Sequence, residues 1–238
     1  MISTLLKLLL AHFLGDFVLQ PYKWVLSKER KGAGSAYFWF HIGIHFLLMF
    51  LFTGFKLSIM PVITGIGISH LVIDLLKIKL KNQVSSIYLF FADQALHLLV
   101  IFMALGFYFN IDWTHSLKFQ DKWLILVLAF VLITYVSGVI MKIVLSKWDL
   151  LDFEGEALEK AGWYIGMLER LFIFGFVFLE YWAGIGFLIA AKSIFRFSDL
   201  SKSKDRKLTE YVLIGTLLSY GLALVIALGS LQLWFYFH

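Results

Sequence analysis

The feature that most restricts this chain is the recurrence of apolar stretches of bilayer-spanning length along nearly all of its 238 residues. Runs at about Ile2 to Leu19, Ala36 to Phe55, Leu57 to Leu76, Ile87 to Phe109 and Lys122 to Leu145 each approach the roughly 20 residues a helix needs to cross hydrocarbon. Lipid admits only helices or closed barrels, and barrel strands alternate polar with apolar residues, which these runs do not. Composition agrees: 61% hydrophobic, 18% aromatic and 16% charged is too apolar for a water-soluble core and shell. The expected fold class is therefore all-α, a polytopic transmembrane helical bundle. Soluble enzymes and secreted disulfide scaffolds are excluded. Without cysteine there is no thiolate ligand or nucleophile, so any metal must be held by imidazole, carboxylate or water.

The net charge of +5 does not form a basic face for nucleic acid. Lysines and arginines flank the apolar segments, as topology signals do. The first run has no basic region ahead of it and no small-residue cleavage site behind it, so it reads as a retained helix. The connections holding Lys23, Lys28, Arg30 and Lys31, and Lys77, Lys79 and Lys81, fall on one side by parity; the alternate ones carry Lys56, then Lys118 and Lys122. The positive-inside rule makes the first pair cytoplasmic and the N-terminus external. A single crossing at 163–192 would export Arg196, Lys202, Lys204, Arg206 and Lys207. The expectation is instead a hairpin at about 163–197, turning at Glu180-Tyr181-Trp182 and returning from Gly184 to Phe197, with a last crossing at Tyr211 to Trp234. That gives seven to eight passes, the seventh a candidate re-entrant segment. Asp149 to Lys160 is expected as a cytoplasmic surface helix or loop. Residues 1–110 would form a four-helix core and 111–238 the C-terminal helices of one integrated membrane domain.

The informative residues are polar ones inside the spans. His12 and Asp16, His41 and His45, His70 and Asp74, and Asp93 and His97 are four pairs, one on each of the first four spans, all spaced i, i+4. That spacing puts both members on one helix face, where they can chelate one ion or lend a ligand to each of two. Polar groups at such depth are costly without a partner, and a divalent cation is an efficient one. Given the topology, all eight lie in the cytoplasmic half. His12, His45, His70 and His97 form a deeper tier and Asp16, His41, Asp74 and Asp93 a shallower one, about 6 Å apart at 1.5 Å per residue. The competing reading is a purely structural polar network. Gln20, Lys77 and Lys81 continue two of these faces toward the cytoplasm and are candidates for holding an anionic headgroup or phosphate, although juxtamembrane lysines also anchor helix ends. Gln94 is either an outer partner of a ligand or an interhelical hydrogen bonder. Glu169, Arg170, Lys192, Arg196 and Glu210 form a C-terminal cluster, read as charge pairing that closes the hairpin or as a phosphate or lipid clamp made by Arg170, Lys192 and Arg196.

The strings AHFLGDFVLQ (11–20), SHLVIDLLK (69–77), FADQALH (91–97), GMLERL (166–171), GFLIAAKSIFRF (186–197) and EYVLIGTLLS (210–219) resemble an uncharacterised family of bacterial integral-membrane proteins. The resemblance implies a bacterial inner-membrane location. More distantly, GISHLVIDLLK, with His70 and Asp74, is similar to the SHxxxD helix of membrane-bound metal-dependent hydrolases.

These readings lead to a metal-dependent membrane hydrolase using one or two divalent ions, with zinc the best match to the imidazole content. Asp16, Asp74 or Asp93 would accept the proton of an activated water. A site open to the cytoplasmic interface suits a lipid-linked or amphiphilic ester, phosphoester or amide. A divalent-cation transporter would use the same ligands, but it needs a polar route to both faces, and the outer halves of the first four spans read LLKLLL, FLLMFLF, VITGIGI and LLVIFMALGF. A scaffold with a structural metal would instead close its site to substrate.

Overall fold

The computed structural model describes residues 2–108, 119–148, 161–203 and 206–236. Among these, regular structure is entirely helical. The helices are α1 (Ile2–Phe13), continued by a π-helical turn Leu14–Val18, α2 (Tyr22–Lys31), α3 (Ala36–Thr53), α4 (Met60–Leu80), α5 (Ser86–Tyr108), α6 (Phe119–Val131), a second π-helical turn Leu132–Val136, α7 (Ser137–Leu145), α8 (Ala161–Phe178), α9 (Trp182–Ser203) and α10 (Arg206–Tyr236). Six segments among the described residues are long and apolar enough to cross a bilayer: Ala36–Thr53, Leu57–Leu80, Ser86–Tyr108, Asp121–Leu145, Ala161–Phe178 and Lys207–Phe235. The first run and α2 pass the same test only as a pair bent by 85°, the form of a broken span or a re-entrant loop, and Trp182–Ile194 is a shorter apolar helix. This set is compatible with a membrane protein. The expected surface segment Asp149 to Lys160, Lys118, Lys204, and the side chains of Arg196, Lys202 and Arg206 lie outside the described residues.

The breaks have local causes. Both prolines sit at helix starts: Pro21, in an extended conformation (φ −60°, ψ 146°), precedes α2, and Pro61 lies in the first turn of α4. A ring without an N–H costs nothing there, because the first amides of a helix have no intrahelical acceptor. Gly54 closes α3 at φ 71°, the left-handed conformation that ends helices, and Phe55 N donates back to Phe50 O at 3.0 Å. The basic stretch after Pro21, expected only as a connection, folds as α2.

The chain divides into two compact units, Met1–Leu128 and Ala129–His238. In the first, α1 packs on α3 and α5, and α4 on α3 and α5. One end of these four helices is apolar, with Leu8 and Ala11 of α1, Leu48 and Met49 of α3, Ile63 and Ile66 of α4, and Ile101 and Leu105 of α5 in one core. The other end buries His12, His41, His45, His70, Asp74, Asp93 and His97, each 5% exposed or less. Meanwhile Phe40, Leu47, Leu51, Ile68, Leu99 and Phe102 face outward. Polar residues inside and apolar ones outside invert the pattern of a water-soluble bundle. In the second unit α8 packs on α10 and α9, and Ala223 and Ala227 of α10 meet Ile173 and Val177 of α8. Small residues four apart let two helices approach closely.

Candidate metal centre

Asp16 owes its position to the π-helical turn that ends the first run. The Leu19 amide donates to Leu14 O, five residues back, at 2.8 Å, so the turn holds one residue more than an α-turn. Such bulges re-aim side chains and recur at functional sites. Gly15 is required beside it, since a Cβ there would lie 2.5 Å from the His45 ring. Gly67 likewise leaves room on α4 for the ring of Phe46. These two absences of a side chain let α3 bring its histidines against α1 and α4.

Three imidazoles then converge on one carboxylate oxygen. His45 Nε2 lies 3.0 Å from Asp16 Oδ1, His41 Nε2 3.3 Å and His70 Nε2 3.8 Å, while His41 Nε2 and His70 Nε2 are 3.1 Å apart. A tetrahedral zinc ion with bonds of about 2.0–2.1 Å spaces its ligand atoms about 3.3 Å apart. These four of the set's six separations fall around that value, two of them at ordinary hydrogen-bond length, so the spacing suits either a hydrogen-bonded network or a shared cation. Asp74 Oδ2 is 3.6 Å from His41 Nε2. Groups His12, Asp16, His45 and His70, and His41, His70 and Asp74, each offer ligand atoms close enough to share an ion.

A third such group is Asp16, Asp93 and His97. His97 Nδ1 lies 2.9 Å from the Asp93 carbonyl oxygen. A carbonyl can only accept, so Nδ1 carries the proton and Nε2 presents a lone pair. That Nε2 is buried without a hydrogen-bond partner, and so is Asp93 Oδ1. Two such acceptors in one buried cluster would suit a cation, since an orphaned buried polar atom costs about 1–3 kcal/mol. The expected separation of the ligands into tiers collapses here. Asp16 and His41 of the shallower set reach His45 and His70 of the deeper set within 3.8 Å, because long side chains span the rise between them.

The amides act as orienters. Gln94 Nε2 donates to Asp16 Oδ2 at 2.9 Å and to Asp93 Oδ2 at 3.1 Å. Two carboxylates fix that end as the NH2 group, so Gln94 Oε1 accepts from His12 Nε2 at 3.2 Å. Gln20, expected at a substrate position, donates from Nε2 to His41 Nδ1 at 3.1 Å, which leaves the proton of a neutral His41 on Nε2; ligation through Nε2 requires the Gln20 amide turned so that Oε1 accepts from Nδ1–H. Lys77 pairs with Asp93 Oδ2 at 2.6 Å. Lys81 turns away to the exposed Glu29 at 3.3 Å. The sequence reading missed Lys28, which reaches from α2 to Asp74 Oδ2 at 2.8 Å and is buried. The available signal was the need of a buried carboxylate for a counter-charge, but four basic residues of that stretch compete for the role and spacing alone does not select one.

Arg170 and Lys192 belong to the second unit. Lys192 pairs with Glu169 at 2.6 Å, joining α9 to α8 across the expected hairpin. Arg170 Nε donates to Ile133 O at 2.7 Å, and its Nη atoms to Ser219 Oγ at 3.2 Å and Thr134 O at 3.4 Å. Those carbonyls belong to the second π-helical turn, which loosens the intrahelical ladder and offers its acceptors.

A family model described as a protein of unknown function, DUF3307, matches residues 4–126, slightly more than half of the chain. The matched stretch contains all eight paired His and Asp residues together with Gln20, Lys28, Lys77 and Gln94. The C-terminal strings at 166–171, 186–197 and 210–219 lie outside it. No curated protein and no solved structure matches the chain.

Proposed function

The chain belongs to the DUF3307 family, proteins of unknown function, and from its site we propose that it is a metal-dependent membrane hydrolase. The observation that supports this reading is the convergence of His41, His45 and His70 within 3.0 to 3.8 Å of Asp16 Oδ1, beside three groups whose ligand atoms are close enough to share an ion. Zinc is the ion this set suits, because imidazole and carboxylate are its ordinary ligands. Bound there, it supplies Lewis acidity toward an ester, phosphoryl or amide oxygen and makes a nucleophile of water near neutral pH. With the ion at Asp16, His41, His45 and His70 alone, Asp93 is the best-placed base: Lys77 and Gln94 hold its Oδ2, and its Oδ1, without a hydrogen-bond partner, can take the proton. Asp74 is held by Lys28 and lies 3.6 Å from His41 Nε2, within a group that could share an ion. Asp16 would be a ligand of the first ion, and it also belongs to the Asp16, Asp93 and His97 group that could hold a second.

Charge sets the order of loading. Asp16, Asp74 and Asp93 carry three negative charges against the two ammoniums of Lys28 and Lys77. With neutral imidazoles one divalent ion leaves the cluster at +1, and a second needs an accompanying anion such as a substrate phosphate.

The substrate class is an amphiphile reaching the site from the membrane interface. Counting the bent first run and the short Trp182 helix with the six long segments gives eight passes, with the N-terminus outside, the cluster in the cytoplasmic half, and the protein in the inner membrane of a bacterium, as the basic connections and the resemblance imply. Transport is less well supported, since the apolar core of Leu8, Met49, Ile63 and Ile101 fills the other end of the same helices and leaves no polar route. The test is metal content beside hydrolysis of lipid phosphoesters, esters and amides by full-length protein in detergent. Asp93→Asn should keep its metal and lose turnover by at least about 100-fold, the size of a general-base contribution. An Asp93→Asn protein as active as the parent removes the proposed base.

A further inference from the structure

Three cations on α2 are left over by the metal cluster. The inner face of this helix is committed: Trp24 stacks on Tyr37 of α3 with ring centroids 5.3 Å apart, and Lys28 is buried on Asp74. Glu29, the helix's acidic residue, is taken by Lys81. The adjoining flank carries Lys23, Leu26, Ser27, Arg30 and Lys31, which line a groove of about 270 Å³. Their spacing, i, i+3, i+4, i+7 and i+8, places them on one side of the helix. Lys23, Arg30 and Lys31 are exposed and have no carboxylate partner among the described residues.

Three cations around one concavity repel one another and favour an anion. Its chemistry is restricted by the other lining groups. Arg30 offers a planar fork suited to two oxygens of one phosphate and the lysines add point charges, while the Ser27 hydroxyl is already bonded to the buried Ser35 hydroxyl at 2.8 Å. Leu26 gives the groove an apolar wall, and the exposed rings of Tyr22, Tyr37, Trp39 and Phe40 surround the same helix and the start of α3. Aromatic side chains with a polar tip gather at headgroup level. An amphipathic helix set at 85° to the first run is oriented to lie along a bilayer surface.

We propose that this groove binds the phosphate of an anionic lipid headgroup. Lys28 ties the helix that bears the groove to Asp74, so a lipid seated there is held on the element that borders the metal cluster. Binding itself does not depend on the hydrolase reading, because no groove residue is a candidate metal ligand.

The test uses full-length protein in a neutral detergent, titrated with phosphatidylglycerol, with a carboxylate amphiphile of equal chain length and charge, and with inorganic phosphate, each with and without EDTA. The parent should bind the phospholipid at least about tenfold more tightly than the carboxylate, and EDTA should change neither affinity. In the triple variant Lys23→Gln/Arg30→Gln/Lys31→Gln, phospholipid binding should weaken roughly 10- to 100-fold, as expected for losing several charge contacts. Lys56→Gln, an exposed charge removed elsewhere, should leave binding unchanged. Equal affinity for both amphiphiles, an unaltered triple variant, or inorganic phosphate binding as tightly as the lipid would each overturn the proposal. Loss of phospholipid binding in EDTA would move the lipid site to the metal cluster and also overturn it, whereas failure of the hydrolase assays would leave it standing.

Discussion

The two units bury ionisable groups to similar depth and balance them differently. In the second, Arg170 finds Ile133 O, Thr134 O and Ser219 Oγ, and Glu169 finds Lys192, so each charge meets a partner from its own unit. In the first, Lys28 and Lys77 satisfy one oxygen each of Asp74 and Asp93, yet Asp93 Oδ1 and His97 Nε2 stay unpaired and Asp16 is surrounded by imidazoles instead of cations. In the second unit the Tyr220 hydroxyl alone lacks a hydrogen bond among the described buried side chains, while Glu169, Arg170 and Lys192 are matched, and the cluster serves as a fastener. A cluster with unmet carboxylate and imidazole lone pairs is a candidate receptor for a cation. Burial alone does not distinguish them; the count of unmet acceptors does.

The comparison predicts opposite responses to metal. The largest effect should come from His45→Ala or His70→Ala, which should abolish stoichiometric metal and, with it, the stabilisation by bound ion, about 2.7 kcal/mol when free metal is 100 times Kd. Metal analysis and thermal melts of the same samples read both. Next, Arg170→Met strips hydrogen bonds from two main-chain carbonyls and a hydroxyl, and should cost about 2–4 kcal/mol while leaving metal content at the parent value; a variant that loses its metal would tie the two clusters together and break the distinction. Smaller still, Glu169→Gln should destabilise by about 2 kcal/mol because it strands a half-buried ammonium, and Glu169→Gln/Lys192→Gln should recover part of that loss. Additive losses in that cycle would mean the pair contributes nothing as a pair. The smallest change in metal binding is expected for Lys28→Gln. It removes one positive charge beside the cluster, so metal affinity should rise, by about tenfold or less, while the metal-free protein, with the buried Asp74 left unpaired, should lose about 3–5 kcal/mol. Weaker metal binding would assign Lys28 a role in shaping the site instead of limiting its charge.

Much of this was legible in the chain before any coordinates. Helix period and length place α3, α4 and α5 within a few residues, because apolar runs of that length have one stable form in lipid. The i, i+4 pairs select the four helix faces that meet. What spacing does not reveal is how partners are exchanged between helices. Asp16 is joined by both histidines of α3, while Asp74 and Asp93 are claimed by lysines. That exchange depends on the π-helical turn at Leu14–Val18 and on the close approach permitted by Gly15, features set by packing and not by local propensity. Lys28 was hidden for a related reason: the basic stretch after Pro21 has the composition of a topology signal, and only its folding as α2 turns one lysine inward.

The central claim is that the first unit is built around a divalent cation. Zinc titration of EDTA-stripped full-length protein, followed by calorimetry, tests it most directly. The account predicts one tight site per chain, with a second, weaker one that tightens when inorganic phosphate is added, and loss of the tight site in His45→Ala but not in Arg170→Met. A chain that takes up no zinc and no other divalent ion, with the parent and His45→Ala indistinguishable, would contradict it.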